Sequence, residues 1–163
     1  VSICYNEYRL LKERFDTMKE KAIIVDLDGT LCNVEHRVHF MQTNPKQKAE
    51  FHSACINDAV NEPIKALIEG MQAIGYKVIL LTARPIQYAH QTQFWLKCAG
   101  IEYDQIFMGT QPMPDREYKR LTYLNEIEPY YDVAFVVEDR ADVVAMWRKI
   151  GVMCLDCANR EIH

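Results

Sequence analysis

The chain has 163 residues, 49% of them hydrophobic, and a formal net charge of -4 at pH 7. This length and apolar content let one domain bury a core without disulfides or a structural metal. The negative charge excludes a generally basic nucleic-acid binder, although a local basic patch is compatible with it. No run approaches the roughly 20 apolar residues that span a bilayer, and the first 20 residues lack an apolar signal-peptide core. We therefore expect a cytoplasmic protein with no membrane partner.

In chain order, the first pattern is a three- and four-residue spacing of apolar side chains, which predicts an N-terminal helical leader over residues 1–20. Residues 21–163 are predicted to form one further domain. Short apolar runs rich in β-branched residues predict its buried strands at 21–27, 76–83, 132–139 and 151–157, with a weaker candidate at 103–109. Helical patterns between these runs predict helices over 62–75, 86–100, 116–128 and 140–151.

Strands that alternate with helices predict an α/β fold with a doubly wound, mainly parallel sheet and right-handed crossovers. The long interval at about 32–60 contains a polar stretch of helical character after Pro45, which predicts a small helical cap insertion. Its histidines, His36, His39 and His52, lack a metal-binding spacing. Cys154 and Cys157 form a C-x-x-C pair in a predicted strand, without the second ligand pair that a zinc site needs.

Polar residues follow three of the predicted strands, at the edge of a parallel sheet where ligands bind. They are Asp26 and Asp28, then Thr82 and Arg84, then Glu138 and Asp139. Carboxylates that converge about 4 Å apart repel by several kcal/mol at an intermediate dielectric constant, and a bound cation relieves that repulsion. Because the donors are oxygens, the pattern predicts a Mg²⁺ site.

The segment D-L-D-G-T-L from Asp26 resembles the nucleophile motif of the haloacid dehalogenase superfamily of phosphotransferases. Thr82, Lys119 and the Glu138-Asp139 pair are similar to its other motifs, in the same order along the chain. The resemblance implies that Asp26 attacks phosphorus to form an aspartyl-phosphate, and that Asp28 acts as general acid and then as base. It also implies that Thr82 and Lys119 bind the phosphoryl oxygens. The implied Mg²⁺ ligands are Asp26, the backbone carbonyl of Asp28, and Asp139, with Glu138 as a further candidate.

A narrower resemblance covers residues 21–158 and is densest in EDRADVVAMWRKIGVMCLDCA, residues 138–158. This segment is similar to the 3′-phosphatase part of bacteriophage-type polynucleotide kinase/phosphatases. Arg37 and Arg84 match arginines of that family, and Asp115 matches its aspartate four residues before the lysine. The resemblance implies that the two arginines bind substrate phosphate and that Asp115 orients the lysine. The chain departs from the family in having Thr for Ser, Glu for Asp and a longer insertion around 38–57.

The leading hypothesis is Mg²⁺-dependent removal of 3′-phosphate from DNA or RNA ends in nucleic-acid repair, with a kinase domain or a ligase as partner. The alternatives are a small-molecule phosphatase, such as a nucleotidase or sugar phosphatase, and a catalytically silent binding module. The kinase part of that family is missing from this sequence, which starts at Val; a stand-alone phosphatase and an excised domain both fit. The candidates for holding a nucleic-acid end are Arg116, Tyr118, Arg120, Arg140 and Arg148.

Overall fold

The structure is a computed structural model that describes residues 19–158, together with residues 7, 9 and 10. Within the predicted leader, residues 7, 9 and 10 are helical and Glu20 already belongs to the first strand. The remainder of the leader before residue 19 lies outside the described residues. No helix in the described ranges is both long enough and apolar enough to cross a membrane.

Seven strands are present in the described part of the chain. They are β1 (Glu20–Val25), β2 (Cys32–Asn33), β3 (Ala59–Val60), β4 (Lys77–Pro85), β5 (Gln105–Gly109), β6 (Tyr131–Glu138) and β7 (Cys154–Asp156). Five of them form a parallel sheet in the order β5-β4-β1-β6-β7. The α/β fold class is thus confirmed, and the weak strand candidate at 103–109 is the edge strand β5.

The α-helices are α1 (His39–Gln42), α2 (Lys48–Ser53), α3 (Glu62–Ala73), α4 (Ala89–Cys98), α5 (Asp115–Thr122) and α6 (Ala141–Lys149). Short 3₁₀ turns lie at Glu35–Arg37, Ala54–Asn57 and Ile86–Tyr88, and a π-helical turn at Tyr123–Ile127. Two predicted helices are therefore irregular at one end. The helix predicted over 86–100 begins with a 3₁₀ turn, and the one predicted over 116–128 changes to the wider π turn after Thr122.

The core consists of two layers, one on each face of the sheet, because side chains of a strand alternate between faces. Ile23 and Val25 of β1 pack with Trp95 of α4 on one face. Ala22 and Ile24 pack with the fully buried Trp147 of α6 on the other. Both faces of β1 are thus apolar, which explains the continuous hydrophobic run that predicted this strand.

The insertion has a small sheet of its own at its base. β2 and β3 pair antiparallel, with Cys32 opposite Val60, and α1, α2 and two 3₁₀ turns lie between them. The side-chain amide of Asn61 donates a hydrogen bond to the carbonyl of Thr30 at 2.9 Å. The insertion, called the cap below, is therefore attached directly to the loop that follows β1.

Candidate active site

The end of β1 places Asp26 and Asp28 at the carboxyl edge of the sheet. The backbone N–H of Asp26 still donates to the carbonyl of Val137, at 3.1 Å, and the chain then turns. Leu27 is fully buried in the core, whereas the Asp28 side chain is 20% exposed. The alternation of a strand thus sends Leu27 inward and both carboxylates toward one crevice.

Gly29 makes this turn with φ at +90°, in the region that favours glycine. A Cβ atom on Gly29 would lie 2.2 Å from Oδ2 of Asp139, which comes from the end of β6. A side chain at position 29 would therefore displace the carboxylate of Asp139 from its place beside the end of β1.

Lys119 reaches the same crevice from α5 and is almost fully buried. Its Nζ donates to Oδ1 of Asp26 and to Oε2 of Glu138, each at 2.6 Å. Burial alone lowers the pKa of the Lys119 ammonium, but the two carboxylates outweigh it and hold this pKa above its usual value. Burial raises the pKa of Asp26, and the charge of Lys119 opposes that rise. The geometry therefore keeps a charged lysine on the first aspartate.

The carboxylates of Asp26, Glu138 and Asp139 form a cluster in which one oxygen from each lies within 4.8 Å of the other two. Burial, followed by the negative charge of Asp26, raises the pKa of Asp139. Lys119 binds Oε2 of Glu138, while Oε1 accepts from the backbone N–H groups of Asp139 and Arg140, at 3.1 and 3.2 Å. Three close carboxylates, two of which share the Lys119 ammonium, offer only oxygen donors and fit a hard cation such as Mg²⁺.

Asp139 lines a cleft of about 380 Å³ between this cluster and the base of the cap. The hydroxyl of Thr30 lies 3.3 Å from Oδ2 of Asp26 and 3.4 Å from Oδ1 of Asp139, so it links the two strand ends. Gly29, Asn33, Asn61 and Asp139 are among the residues that line the cleft. The acid cluster is thus reached from solvent beside the cap.

Two arginines, Arg84 and Arg37, bind Asp28, and both of their side chains are fully buried. Nη2 and Nε of Arg84 donate to the two carboxylate oxygens, at 2.5 and 3.2 Å, and Nη2 of Arg37 donates to Oδ1 at 2.5 Å. Burial raises the pKa of Asp28, but Arg84 and then Arg37 outweigh it and lower the pKa to about 2. The sequence predicts that these arginines bind phosphate; in the structure, both guanidinium groups bind Asp28.

Thr82 and Asp115 complete the set of predicted site residues. Thr82 is buried at the carboxyl half of β4, and its hydroxyl oxygen accepts the N–H of Arg84 at 3.1 Å, which leaves its proton available to a ligand. Asp115 forms an ion pair with Arg140, whereas Lys119, the residue it is predicted to orient, binds Asp26 and Glu138.

Four of the five candidates for holding a nucleic-acid end, all except Arg116, form hydrogen bonds or ion pairs with other residues of the protein. Tyr118 is buried and its hydroxyl donates to the carbonyl of Met108 at 2.6 Å, so the expected aromatic face is not on the surface. Arg120 pairs with Glu117, and Arg148 donates to the carbonyl of Cys154. Arg116, the second residue of α5, is exposed.

Asp58, Thr92 and Thr30 are site residues that the sequence reasoning missed. Asp58 binds Arg37, and Thr92 of α4 accepts from Nη1 of Arg84 at 2.9 Å. Thr30 follows the D-L-D-G segment directly, and that position is the one signal that could have identified it. Asp58 and Thr92 belong to no motif, and Asp58 lies 21 residues along the chain from Arg37.

The chain matches the protein family described as "Polynucleotide kinase PNKP phosphatase domain" over residues 20–161. It belongs to this family. This membership confirms the resemblance seen in the sequence, and the chain is a phosphatase domain by family, with the haloacid dehalogenase type of fold.

Solved structures agree with membership of the PNKP phosphatase family. A chain of the Pnkp1/Rnl/Hen1 complex is similar with 31% identity and a TM-score of 0.78, covering 90% of this chain and 49% of that chain. A chain of the Pnkp1/Rnl/Hen1 RNA repair complex has 28% identity, a TM-score of 0.78 and coverage of 96% and 54%. The present chain thus spans about half the length of these relatives. A class C acid phosphatase from Bacillus anthracis, at 14% identity, shares the fold with a TM-score of 0.63, covering 95% of this chain and 74% of that chain.

Proposed function

We propose that the protein is a Mg²⁺-dependent phosphatase that removes the 3′-phosphate from nucleic-acid ends. The observation that carries this proposal is the PNKP phosphatase match over residues 20–161, which includes the whole buried acid, lysine and arginine cluster. The relative in an RNA repair complex supports RNA ends as substrates and a kinase or ligase as partner in repair.

In this proposal Asp26 is the nucleophile. One oxygen of its carboxylate is bound by Lys119 at 2.6 Å, and the other lies near the hydroxyl of Thr30, so the side chain is held rigidly. It attacks phosphorus, the bond from phosphorus to the sugar oxygen breaks, and an aspartyl-phosphate forms on Asp26. Lys119 and the hydroxyl of Thr82 stabilise the negative charge on the phosphoryl oxygens.

Asp28 is the proposed acid and base. Because its carboxylate is ionised in the free protein, we propose that it takes the proton of the bound phosphate monoanion and passes it to the departing 3′-oxygen, and that it later takes a proton from the water that hydrolyses the aspartyl-phosphate. Arg84 and Arg37 fix the position of its carboxylate, and we assign them this orienting role from their contacts in the structure. The hydrolysis releases inorganic phosphate and regenerates Asp26.

Mg²⁺ would be held by Asp26, Asp139 and the backbone carbonyl of Asp28. When bound, the ion would neutralise charge on the carboxylates and on the phosphate. Glu138 is less suited to direct ligation, because its two oxygens already accept hydrogen bonds from Lys119 and from two backbone N–H groups. Its proposed role is to hold Lys119.

The experiment that tests this function compares substrates in the presence of Mg²⁺. We expect a 3′-phosphorylated oligonucleotide to be dephosphorylated with a kcat/KM about 10-fold or more above that of a 3′-mononucleotide or a sugar phosphate. A much higher kcat/KM for the small molecules would replace the proposal with a small-molecule phosphatase. A catalytically silent module would release no phosphate from any of these substrates.

A further inference from the structure

We propose that His52, on α2 of the cap, binds the substrate by donating a hydrogen bond from its imidazole ring to an oxygen of the nucleotide that carries the 3′-phosphate. This inference rests on the proposed function and names a contact that the cap makes with the substrate. His52 belongs to the insertion around 38–57, which is longer in this chain than in the family pattern. The contact would therefore give this insertion a part in the choice of substrate.

The position of His52 follows from the contacts of Asp28. In the proposed reaction Asp28 passes a proton to the departing 3′-oxygen, so the nucleotide that carries this oxygen lies beside Asp28. The cap reaches Asp28 through Arg37, whose Nη2 donates to Oδ1 of Asp28 at 2.5 Å and whose Nη1 donates to the carbonyl of Phe51 at 3.2 Å. His52 is the next residue along α2. It therefore directly follows the residue through which α2 contacts Arg37.

Two aromatic rings fix the imidazole of His52. Its centroid lies 5.2 Å from that of Phe51, nearly edge-on, and 5.2 Å from that of Tyr88, with the two planes tilted by 33°. Tyr88 ends the 3₁₀ turn that follows β4, and its carbonyl accepts the hydroxyl of Thr92 at 2.8 Å. The same Thr92 oxygen accepts Nη1 of Arg84. The imidazole therefore has a defined position, between the cap and the loop that follows β4, before any substrate binds.

The charged groups that act on the His52 ring belong to the candidate active site. Burial is the largest influence and lowers the pKa of His52; Arg84 and Arg37 add to this effect, whereas Asp28 and Asp115 oppose it. These groups come from the ends of β1 and β4, from the cap and from the start of α5. The ring therefore faces the crevice and is neutral at pH 7.

One ring nitrogen of His52 is buried without a partner. Nδ1 is enclosed by the protein and has no hydrogen bond within the part of the chain that the structure describes. A buried N–H without an acceptor is costly, so the neutral ring keeps its proton on the other nitrogen, Nε2. Nε2 is then the donor that is left to bind a ligand. A neutral donor fits an uncharged oxygen of the sugar or base better than it fits a phosphate, which is bound more strongly by charged donors.

The test measures steady-state kinetics of His52→Phe, which keeps an aromatic ring between Phe51 and Tyr88 but has no nitrogen. With saturating Mg²⁺, we expect KM to rise about 5-fold and kcat to change less than about 2-fold, for a 3′-phosphorylated oligonucleotide and for a 3′-mononucleotide. Acetyl phosphate contains no nucleotide, so its kcat and KM should stay within about 2-fold. The thermal midpoint should be unchanged or higher, because the variant removes an unpartnered buried nitrogen.

Two further variants separate the hydrogen bond from packing. His52→Gln offers an amide N–H at about the position of Nε2 and should keep KM for both nucleotide substrates within about 2-fold of the unmodified value. His39→Gln changes an exposed histidine on α1 of the cap and should alter no kinetic parameter. If His52→Phe does not fold, His52→Ala takes its place, with the same rise in KM expected.

An unchanged KM for the nucleotide substrates in His52→Phe, or an equal rise for acetyl phosphate, would overturn the inference. A KM in His52→Gln as high as that in His52→Phe would overturn it as well. Failure of the proposed function looks different: the unmodified protein would then show no preference for the oligonucleotide over a sugar phosphate. A preference that is present in the unmodified protein and survives in full in His52→Phe contradicts the inference alone.

Discussion

Gly29 follows the end of β1 and lies directly against Asp139, which follows the end of β6. Its positive φ and the 2.2 Å approach of a Cβ to Asp139 are independent constraints, and Gly29→Ala violates both. We expect this variant to lose about 10- to 100-fold in Mg²⁺-dependent kcat/KM, because Asp139 must move. Steady-state phosphate release over a range of Mg²⁺ concentrations measures the loss.

Gly75→Ala is the matched control for that variant. Gly75 also has φ at +90°, but a Cβ there would meet no atom within 4 Å. This substitution should cost about 1 kcal/mol of stability and leave kcat/KM unchanged. An equal loss of activity in the two variants would show that backbone strain, and not the contact with Asp139, accounts for the effect.

A second prediction concerns Asp28 and acid stability. Its pKa is lowered from 3.8 to about 2, so its ionisation stabilises the fold above pH ~4, and this contribution disappears as the pH falls through about 2. The shift corresponds to about 2 kcal/mol. Urea unfolding of metal-free Asp28→Asn should therefore show a deficit of at least this size at pH ~6 that shrinks toward pH ~2. A deficit that is constant with pH would contradict the pairing with Arg84 and Arg37.

Whether a strand or helix could be predicted from the sequence depended on how that element is buried in the fold. β1, β4 and β6 are covered on both faces, so continuous apolar runs revealed them and the strand ends that follow. The cap has short elements and few buried side chains, so its pattern indicated helices without their bounds. The pairing of β2 with β3 was not predicted, because two-residue strands carry no periodicity.

A third prediction concerns Mg²⁺ binding by the carboxylates at the ends of β1 and β6. Mg²⁺ should relieve the repulsion among Asp26, Glu138 and Asp139 and raise the thermal midpoint, by about 3 °C at a concentration ten times its dissociation constant. Asp139→Asn should remove most of this shift in a thermal denaturation experiment. Asp132→Asn, an exposed carboxylate at the other end of β6, should retain it. A full shift in Asp139→Asn would contradict the assignment of Asp139 as a ligand.

At the scale of the whole molecule, the sequence predicted the site residues that directly follow strands. It missed the residues, such as Asp58, that contact and hold those site residues. Asp26, Asp28, Glu138 and Lys119 meet because parallel strands end at one edge of the sheet and α5 follows the edge strand. Asp58 reaches the site only through the path of the cap, which no motif fixes. The contact of Arg37 with Asp28 also depends on that path, whereas Arg84 reaches Asp28 from the end of β4.

The family of the chain and its substrate rest on different observations. The PNKP phosphatase family and the haloacid dehalogenase fold follow from residues 20–161, whereas the 3′-end substrate and the repair partners are proposals. The whole proposal depends on one chemical step, the transfer of the phosphoryl group to Asp26. That step forms a covalent intermediate, an aspartyl-phosphate, which can be detected directly.

The most direct test is therefore to trap the aspartyl-phosphate. The protein is mixed with a 3′-phosphorylated oligonucleotide and Mg²⁺, quenched in acid within one turnover, and digested for mass spectrometry. We predict that the peptide containing Asp26 gains the mass of one phosphoryl group, and that borohydride reduction converts Asp26 to homoserine. Asp26→Asn should show neither change and release no phosphate. Phosphate release by the unmodified protein with no adduct on the Asp26 peptide at any quench time would contradict the account.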